Sequence, residues 1–311
     1  MSRSLRKPAA IAVAALVTAG STLLSGAAQA STARATAPTA AGPTDRIGGV
    51  VPDVVTGAAA RKAAGVDAPA PAPAGRHPKA ASAGTPNWNH SYWGDFPARG
   101  NNTGAMATQS YVPGLEMLDN EYLYAPTLAP DSSTCIEVVT QYSRYATPQL
   151  LAWDWCRSVD VAATKTIDAS FTASYGTVVN GHNSYTVEDV LTDAATNTWT
   201  AYLYNYRTNA WDVFYTQSGT SQISTDGGGW KGGGWDMFEV YALSGSRNYC
   251  AQTRNAVFES SSIQYLVDGA WTDATASFAP MSGTTPTGSA FSCPPLTFNV
   301  VAPNTDWVVK Q

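Results

Sequence analysis

The abrupt change in composition near residue 87 is the feature that most constrains how this chain can fold. All ten tryptophans, all fifteen tyrosines and all four cysteines of the 311 residues lie beyond that point. Residues 31–86 are dominated by Ala, Pro, Gly and Thr, and such a segment cannot bury enough apolar surface to offset the entropy lost on ordering. We therefore expect a disordered linker or propeptide over 31–86 and one folded domain over 87–311, which is long enough for a substantial core.

The first thirty residues have the pattern of a cleavable signal peptide. Arg3, Arg6 and Lys7 precede an apolar stretch over residues 9–24, and the small-residue site Ala28-Gln29-Ala30 follows. No later stretch reaches about eighteen consecutive apolar residues, so the pattern does not predict a transmembrane helix. The sequence thus predicts a secreted, extracellular product without a membrane partner.

Charge is distributed unevenly across the boundary at residue 87. Residues 1–87 hold nine Lys or Arg and three Asp, which gives a net charge of +6, whereas residues 88–311 have a net charge of -11. An acidic folded domain argues against nucleic acid as a partner. The simpler interpretation of this charge is that it only keeps a secreted protein soluble.

The four cysteines all lie in the expected domain of an exported chain, so two disulfides are expected, with three possible connectivities. We favour the sequence neighbours, Cys135 with Cys156 and Cys250 with Cys293. The domain has no CxxC pair and only two histidines, His90 and His182. A zinc site is therefore not expected, and no cofactor is indicated.

Beyond residue 87 the sequence consists of short β-branched and aromatic runs separated by Gly, Asn, Asp and Ser. This pattern is typical of an all-β antiparallel sandwich or barrel, and no segment has a convincing helical period. The predicted strands cover residues 135–142, 149–156, 184–192, 198–206, 211–216, 236–243, 256–267 and 296–302.

One predicted hairpin places two acidic residues together. If Cys135 faces Cys156 in an antiparallel pair, Glu137 lies opposite Asp154. The face opposite the two acids would then be apolar, formed by Ile136, Val138, Leu151, Trp153 and Trp155. Opposed like charges destabilise a sheet, so either this register is displaced by a residue or the two carboxylates have a function.

A second acidic strand begins after a glycine-rich stretch and contains Asp236 and Glu239. Side chains alternate between the faces of a strand, so Glu239 shares a face with Trp235, Met237 and Tyr241. Asp236 lies on the other face.

Short motifs in these strands resemble those of the glutamic peptidases, the eqolisins and the neprosin-like group. The motifs are Trp93-Gly94 in the opening strand, Glu137 in the next acidic strand, Trp153-Asp154-Trp155 after its hairpin, and Met237-Phe238-Glu239-Val240. Eqolisins have Gln before Thr-Gly at the first catalytic position, whereas this chain has Ile136-Glu137-Val138, which is closer to neprosin-like proteins. Either Asp236 or Glu239 could match the family's second acid, and the flanking residues favour Glu239.

The resemblance implies a concanavalin-like, jelly-roll type sandwich of two antiparallel sheets with a catalytic pair on its concave face. It also implies an acid-acting endopeptidase that uses no metal and forms no covalent intermediate. Glu137 and Glu239 would be the pair that activates water, since two close carboxyls cannot easily both ionise. Asp154 would be a supporting acid, and Trp155 or Trp235 would shape a groove for a polypeptide. The expected state is a monomer.

Under this interpretation, the basic segment before residue 87 could lie on the acidic cleft of a zymogen at neutral pH.

Three other functions stay open, and one of them is a passive structural or inhibitory secreted protein. A carbohydrate-binding module would use exposed aromatic residues as platforms for glycans, and the run Trp199–Tyr206 followed by Trp211, Phe214 and Tyr215 supplies candidates. A glycosidase could use Glu137 and Glu239 as its two carboxylates. A Ser-His-Asp hydrolase is disfavoured, because the domain has no Gly-x-Ser-x-Gly motif.

Overall fold

The computed structural model describes residues 88–100, 102–117, 121–144, 147–223, 233–243, 248–282 and 293–311. The expected signal peptide and the Ala/Pro-rich segment lie outside these ranges. Within them, no helix has the length and apolar character needed to cross a membrane.

The described chain is built almost entirely from β-strands. In chain order they are β1 (Trp88–Asp95), β2 (Gly104–Ser110), β3 (Glu121–Ala129), β4 (Ile136–Tyr142), β5 (Gln149–Asp154), β6 (Asp160–Thr166), β7 (Thr177–Val179), β8 (His182–Asp193), β9 (Thr198–Asn205), β10 (Ala210–Ser218), β11 (Trp235–Leu243), β12 (Val257–Val267), β13 (Ala270–Asp273), β14 (Thr297–Ala302) and β15 (Asp306–Lys310). Two short helices are α1 (Ala169–Tyr175) and α2 (Asn248–Gln252). All strand pairs are antiparallel, which confirms the all-β prediction.

The strands form two sheets. Sheet 1 has the order β1-β11-β3-β4-β5-β6. Sheet 2 has the order β10-β9-β8-β2-β12-β15-β14, with β7 paired to β8 and β13 paired to β12. Each of the eight predicted strands lies within two residues of an observed one at both ends. The eight predicted ranges do not include β1, which only the Trp93-Gly94 motif indicated, or the short strands β7 and β13. They also do not include β2, β3, β6 and β15, whose side chains are too mixed in polarity to show a clear period of two.

A single large core fills the space between the two sheets. Ile136, Val138 and Leu150 of sheet 1 belong to the same buried cluster as Val187 and Trp199 of sheet 2. Hydrogen bonds also cross this space, such as the one at 2.7 Å between the hydroxyls of Thr140 and Tyr185. The face of sheet 1 that these residues occupy is therefore its inner face, and the alternate residues lie on its outer face.

The favoured disulfide connectivity is confirmed, since Cys135 is bonded to Cys156 and Cys250 to Cys293.

The predicted register of the first hairpin is wrong by one residue. Glu137 lies opposite Trp153, and Asp154 lies opposite Ile136. Strand β5 ends at Asp154, so Cys156 lies in the following turn and reaches Cys135 without facing it across the sheet. Because a slip of one residue exchanges the faces, Trp153 joins the face of Glu137 and Asp154 leaves it.

The Trp93-Gly94 motif lies where β1 and β11 approach closely. Gly94 is paired with Met237, and a Cβ atom at Gly94 would overlap the backbone of Asp236 and Met237. Only glycine fits there without displacing β11, the strand that carries Glu239.

Candidate active site

Glu137 lies on the outer face of sheet 1 and accepts three hydrogen bonds. Its Oε1 atom accepts from the Thr127 hydroxyl at 2.5 Å and from Trp235 Nε1 at 3.2 Å. Its Oε2 atom accepts from Trp155 Nε1 at 3.0 Å. The donors come from β3, β11 and the turn after β5, so three separate segments fix one carboxyl that is only 1% exposed.

Glu239 lies on the same outer face, two strands from Glu137. In β11 it alternates with Phe238 and Val240, which belong to the inter-sheet core, and it pairs with Tyr124 of β3. Its Oε2 atom accepts a hydrogen bond from the Tyr241 hydroxyl at 3.2 Å, and its side chain is 1% exposed. The expectation that Glu239 shares a face with Trp235 and Tyr241 agrees with these contacts.

The two carboxyls are close enough to influence each other's ionisation. Burial raises the pKa of Glu137 to about 8, and the negative charge of Glu239 adds to the rise. The hydrogen bonds from Thr127, Trp155 and Trp235 act in the opposite direction. A pair that interacts in this way keeps one proton over a wide pH range, because the second ionisation would place two negative charges together in a buried site.

Aromatic residues surround the Glu239 end of the pair. The rings of Tyr124 and Tyr241 have centroids 5.5 Å apart in an edge arrangement, and Tyr122 stacks on Tyr124 at 6.3 Å. Burial raises the pKa of both Tyr124 and Tyr241 well above the usual value for tyrosine, and the neighbouring glutamates add to the shift. These phenols therefore stay neutral hydrogen-bonding groups over the range in which the carboxyls titrate.

Two residues of this face were missed as site candidates by the sequence reasoning. Thr127 lies in β3, a strand that was not predicted, so no pattern connected it with Glu137. Gln141 alternates with Glu137 along β4, is buried, and donates from Nε2 to the Tyr124 hydroxyl at 3.3 Å. Gln141 is four residues after Glu137 in the same strand, and residues i, i+2 and i+4 of a strand share a face. This spacing was the signal by which the sequence could have placed Gln141 beside Glu137.

Asp154 lies outside this cluster. Its carboxylate accepts hydrogen bonds from the backbone N–H groups of Cys156 at 2.8 Å, Arg157 at 3.0 Å and Ser158 at 3.2 Å, and from Gln217 Nε2 at 2.9 Å. Although burial acts to raise the pKa of Asp154, these hydrogen bonds to the ionised form outweigh it and lower the pKa. Asp154 thus organises the turn that carries Trp155 and Cys156.

Asp236 lies on the opposite, inner face of β11. It accepts hydrogen bonds from Gln109 Nε2 at 3.0 Å, from the Ser260 hydroxyl at 2.8 Å and from Trp307 Nε1 at 2.8 Å, all three of which belong to sheet 2. Burial raises its pKa to about 6. The structure therefore brings Glu137, Glu239, Trp155 and Trp235 together and leaves Asp154 and Asp236 apart from them.

The aromatic run proposed as a glycan platform is largely buried. Trp199 lies in the inter-sheet core, and Tyr202 and Tyr206 are also buried. The half-buried Tyr204 and Trp211 pack edge to face with centroids 5.2 Å apart, so they do not form a flat stacking surface.

In the described ranges, no group of three or more His, Cys, Asp or Glu side chains is arranged to hold a metal ion. The chemistry open to the Glu137–Glu239 pair is that of paired carboxyls, one ionised and one protonated. Such a pair can take a proton from water and donate another to a polarised oxygen.

Comparison with known proteins found no matching family model and no matching curated protein. Among solved structures, the protein is similar to scytalido-glutamic peptidase bound to a peptide-based transition state analogue, at 11% identity over 72% of this chain and 99% of that chain, with a TM-score of 0.40. It is similar in the same way to SCP-B, an eqolisin peptidase in complex with the tripeptide Ala-Ile-His, at 11% identity over 72% and 99% of the two chains, with a TM-score of 0.39. A third similarity, to GH43B of the Bacteroides ovatus xyloglucan PUL, covers 46% of this chain and 24% of the other at 14% identity, with a TM-score of 0.23. These similarities have identities of 14% or less and TM-scores of 0.40 or less, so the side chains of this chain itself are the basis for assigning a function.

Proposed function

We propose that this protein is a secreted, acid-acting endopeptidase in which Glu137 and Glu239 activate water for peptide hydrolysis. The observation that carries the proposal is the pair of buried, interacting carboxyls on one face of sheet 1, with hydrogen-bond donors from three segments fixing Glu137. Structural carboxyls of a sheet are not usually brought together in this way, because like charges destabilise it.

In the proposed reaction, the ionised carboxylate takes a proton from water as the water oxygen attacks the scissile carbonyl carbon. The protonated carboxyl donates a hydrogen bond to the carbonyl oxygen and stabilises the negative charge that develops there. Breaking of the C–N bond then requires a proton on the leaving nitrogen, which the first carboxyl returns. The pair works only while it holds a single proton, so activity falls as the pH rises toward about 8, where Glu137 ionises.

The burial of both carboxyls supports a precursor form. Each is 1% exposed, so a polypeptide substrate reaches them only after groups that cover this face have moved. The basic segment before residue 87, which includes Arg61, Lys62, Arg76 and Lys79, would be attracted to the acidic domain at neutral pH and released as carboxylates become protonated. We expect the purified precursor to convert and become active between about pH 2 and 5, where carboxylates titrate. If the precursor stays intact and inactive over that range, the hypothesis that the protein is a zymogen is wrong.

The decisive experiment compares wild type with Glu137→Gln and Glu239→Gln on denatured casein, from acidic to neutral pH. We expect wild type to cleave casein, and each variant to lose at least about a hundredfold in kcat, in line with the usual contribution of a general acid or base. Glu188→Gln is the matched control, because Glu188 is a buried glutamate of sheet 2 outside the site. Equal activity in all four proteins would overturn the proposal.

A glycan panel tested with the same four proteins addresses the alternative function. Retention on a glycan by wild type and both variants, together with absence of proteolysis, would favour a carbohydrate-binding protein over the peptidase.

A further inference from the structure

The row of polar side chains that begins at Glu239 continues across the outer face of sheet 1. Glu239 of β11 pairs with Tyr124 of β3, and Tyr124 pairs with Gln141 of β4. Gln141 in turn pairs with Gln149 of β5. Directly paired residues of an antiparallel sheet lie side by side on one face, with Cβ atoms about 4.5–5.5 Å apart. The two glutamines, which we call the amide row, therefore extend from the carboxyl pair toward the edge strand β6.

Gln149 has a hydrogen-bonding atom that the folded domain does not use. Its side chain is 8% exposed, and its Oε1 atom is buried without a hydrogen-bond partner among the residues that the structure describes. A buried acceptor left unsatisfied costs free energy, and an apolar side chain of similar volume would avoid that cost. Stability thus does not explain a glutamine at this position, whereas a ligand that donates a hydrogen bond to Oε1 would. Such a ligand, like a substrate of the two carboxyls, reaches this face once the groups that cover it have moved.

An apolar row lies beside the amide row. Val139 and Leu151 pair with each other across β4 and β5, and both belong to one buried cluster with Tyr124. Each lies two residues from a member of the amide row in its own strand, so the two rows share the outer face and cross the strands side by side. An extended polypeptide lying over the apolar row would place alternate side chains on it. The N–H and C=O groups along one edge of that polypeptide would then point toward the amide row.

A glutamine amide is complementary to the main chain of an extended polypeptide. It has a C=O group that accepts hydrogen bonds and an NH₂ group that donates them. In an extended strand the N–H and C=O groups of one residue point to the same side, as in the hydrogen-bonded pairs of an antiparallel ladder. One amide can therefore accept from the N–H group and donate to the C=O group of the same residue. These contacts do not depend on the side chain of the residue that is bound.

The spacing of the strands determines which substrate residue the amide row reaches. Glu137 of β4 and Glu239 of β11 flank β3, so a scissile bond held between the two carboxyls lies over β3. Gln149 of β5 is two strands from β3, a distance of about 10 Å. An extended chain advances about 3.3 Å per residue, so this distance corresponds to about three residues.

We infer that Gln141 and Gln149 bind the main chain of the polypeptide substrate, with Gln149 holding the N–H and C=O groups of a residue about three positions from the scissile bond. This inference rests on the proposed function, because the position is counted from the carboxyl pair. It makes the amide row a determinant of substrate length on one side of the scissile bond. Peptides that end before this residue lose the contact with Gln149.

The first test concerns the free protein and needs no activity. Gln149→Leu and Gln149→Met remove the amide with little change in volume. We expect urea midpoints equal to or above that of wild type, because the substitutions remove a buried acceptor that has no partner. A clear fall in the midpoint of both variants would show that Gln149 is a structural residue and would contradict the inference.

The second test locates the contact with peptides of one sequence, each N-methylated at a single position, since N-methylation removes one N–H donor. We expect wild type to lose about tenfold in kcat/KM, mainly through KM, when the methylated residue is about three positions from the cleaved bond on one side. In Gln149→Leu this selective loss should disappear. Gln264→Leu is the matched control, because Gln264 is a buried glutamine of sheet 2, and it should keep the wild-type pattern.

Binding of the same peptides separates this inference from the proposed reaction. Fluorescence anisotropy measures it in Glu239→Gln, with and without Gln149→Leu. A position-selective loss of binding that depends on Gln149 supports the amide row even if wild type cleaves no polypeptide, in which case only the proposed reaction is rejected. If wild type cleaves the peptides and Gln149→Leu keeps the same sensitivity to N-methylation, the inference is wrong while the peptidase stands. Absence of both cleavage and peptide binding would overturn both.

Discussion

Glu137, Asp154 and Asp236 are three buried acids of sheet 1 or its adjoining turn, and each has a different set of hydrogen-bond donors. Glu137 is held by a hydroxyl and two indoles on the outer face, Asp154 by backbone N–H groups of a turn, and Asp236 by side chains of sheet 2. Hydrogen bonds from the N–H groups of a turn lower the pKa of a carboxyl, so Asp154 stays ionised and has a structural role. Burial beside a second carboxyl raises the pKa, so Glu137 can gain and lose a proton during a reaction. The surroundings of these acids, more than their spacing in the sequence, distinguish their roles.

At this scale we predict that Asp154→Ala destabilises the protein and leaves its pH–activity profile in place. The substitution leaves several N–H groups of residues 156–158 without their acceptor, which costs about 1–3 kcal/mol in the free energy of unfolding. Urea denaturation near neutral pH measures the loss. Asp154→Asn is the control, since its amide oxygen still accepts from the turn and the loss should be smaller. A shift of the pH–activity profile in Asp154→Asn would contradict this prediction and indicate that Asp154 takes part in catalysis.

The turn between β7 and β8 contacts a second pair of carboxyls, Glu259 of β12 and Asp306 of β15, which also belong to sheet 2. The turn between β7 and β8 has Asn180 and Gly181 at positive φ, as an Asn-Gly hairpin turn requires. Asn180 Nδ2 donates to Glu259 Oε1 of β12 at 2.5 Å, and His182 Nε2 lies 3.8 Å from Glu259 Oε2. Asp306, at the start of β15, completes the group beside a cavity of about 510 Å³.

At the scale of this element, we predict that raising the pH loosens the β7–β8 turn. Burial raises the pKa of Asp306 to about 7, and the charge of Glu259 and a hydrogen bond with it add to the rise, with a smaller effect from Asp236. A carboxyl whose folded pKa is raised stabilises the structure fully below its unfolded pKa of about 4, and this stabilisation is lost as the pH rises through about 7. Amide hydrogen exchange of residues 179–182, corrected for the intrinsic effect of pH, should accelerate between about pH 5 and 8.

Asp306→Asn is the variant that isolates this effect, because an amide keeps the shape and does not ionise. In it, the acceleration of exchange should be reduced or absent. If amide exchange in Asp306→Asn accelerates as much as in wild type, the effect would come from another group near this cavity, such as His182 or Asp273. That result would contradict the role of the carboxyl pair.

Buried acids of sheet 1 accept hydrogen bonds from side chains of sheet 2 and so connect the two sheets of the sandwich. Asp95 of β1 accepts a hydrogen bond from the Tyr265 hydroxyl of β12 at 2.9 Å, and Asp236 of β11 accepts from Ser260 of the same strand. Burial raises the pKa of Asp95 to about 8, with a contribution from the charge of Asp236. Both acids thus bind protons more tightly in the folded state than in the unfolded chain.

For the whole molecule, this predicts a fold that is more stable in acid than at neutral pH. Between about pH 4 and 8 the folded state binds more protons than the unfolded state, so the free energy of unfolding falls as the pH rises, by an amount on the order of a few kcal/mol. Urea midpoints at pH 4, 6 and 8 measure the trend. Asp95→Asn should flatten it, and an increase in stability from pH 4 to 8 in wild type would contradict the prediction.

The sequence was sufficient for the elements that carry a strong local pattern. The run from Ile136 to Tyr142 is rich in β-branched residues and lies next to a cysteine, so its strand and the partner of Cys135 could both be predicted. The same holds for Glu239, whose neighbours in β11 alternate without a bulge against β1. Local alternation determines which side chains share a face, because the period of a strand is two.

Only the tertiary structure decided the relation between strands distant in sequence. Register depends on where β5 ends and on how both sheets pack. A displacement of one residue therefore placed Trp153 on the face of Glu137 and Asp154, the last residue of β5, on the other face. Thr127 and Trp235 reach Glu137 from β3 and β11, across 10 and 98 residues of sequence. The sequence by itself thus determined which acids could form a site. Packing of the sheet determined which hydrogen-bond donors surround them. The reason is that side-chain contacts across strands depend on long-range strand pairing, which no local period in the sequence encodes.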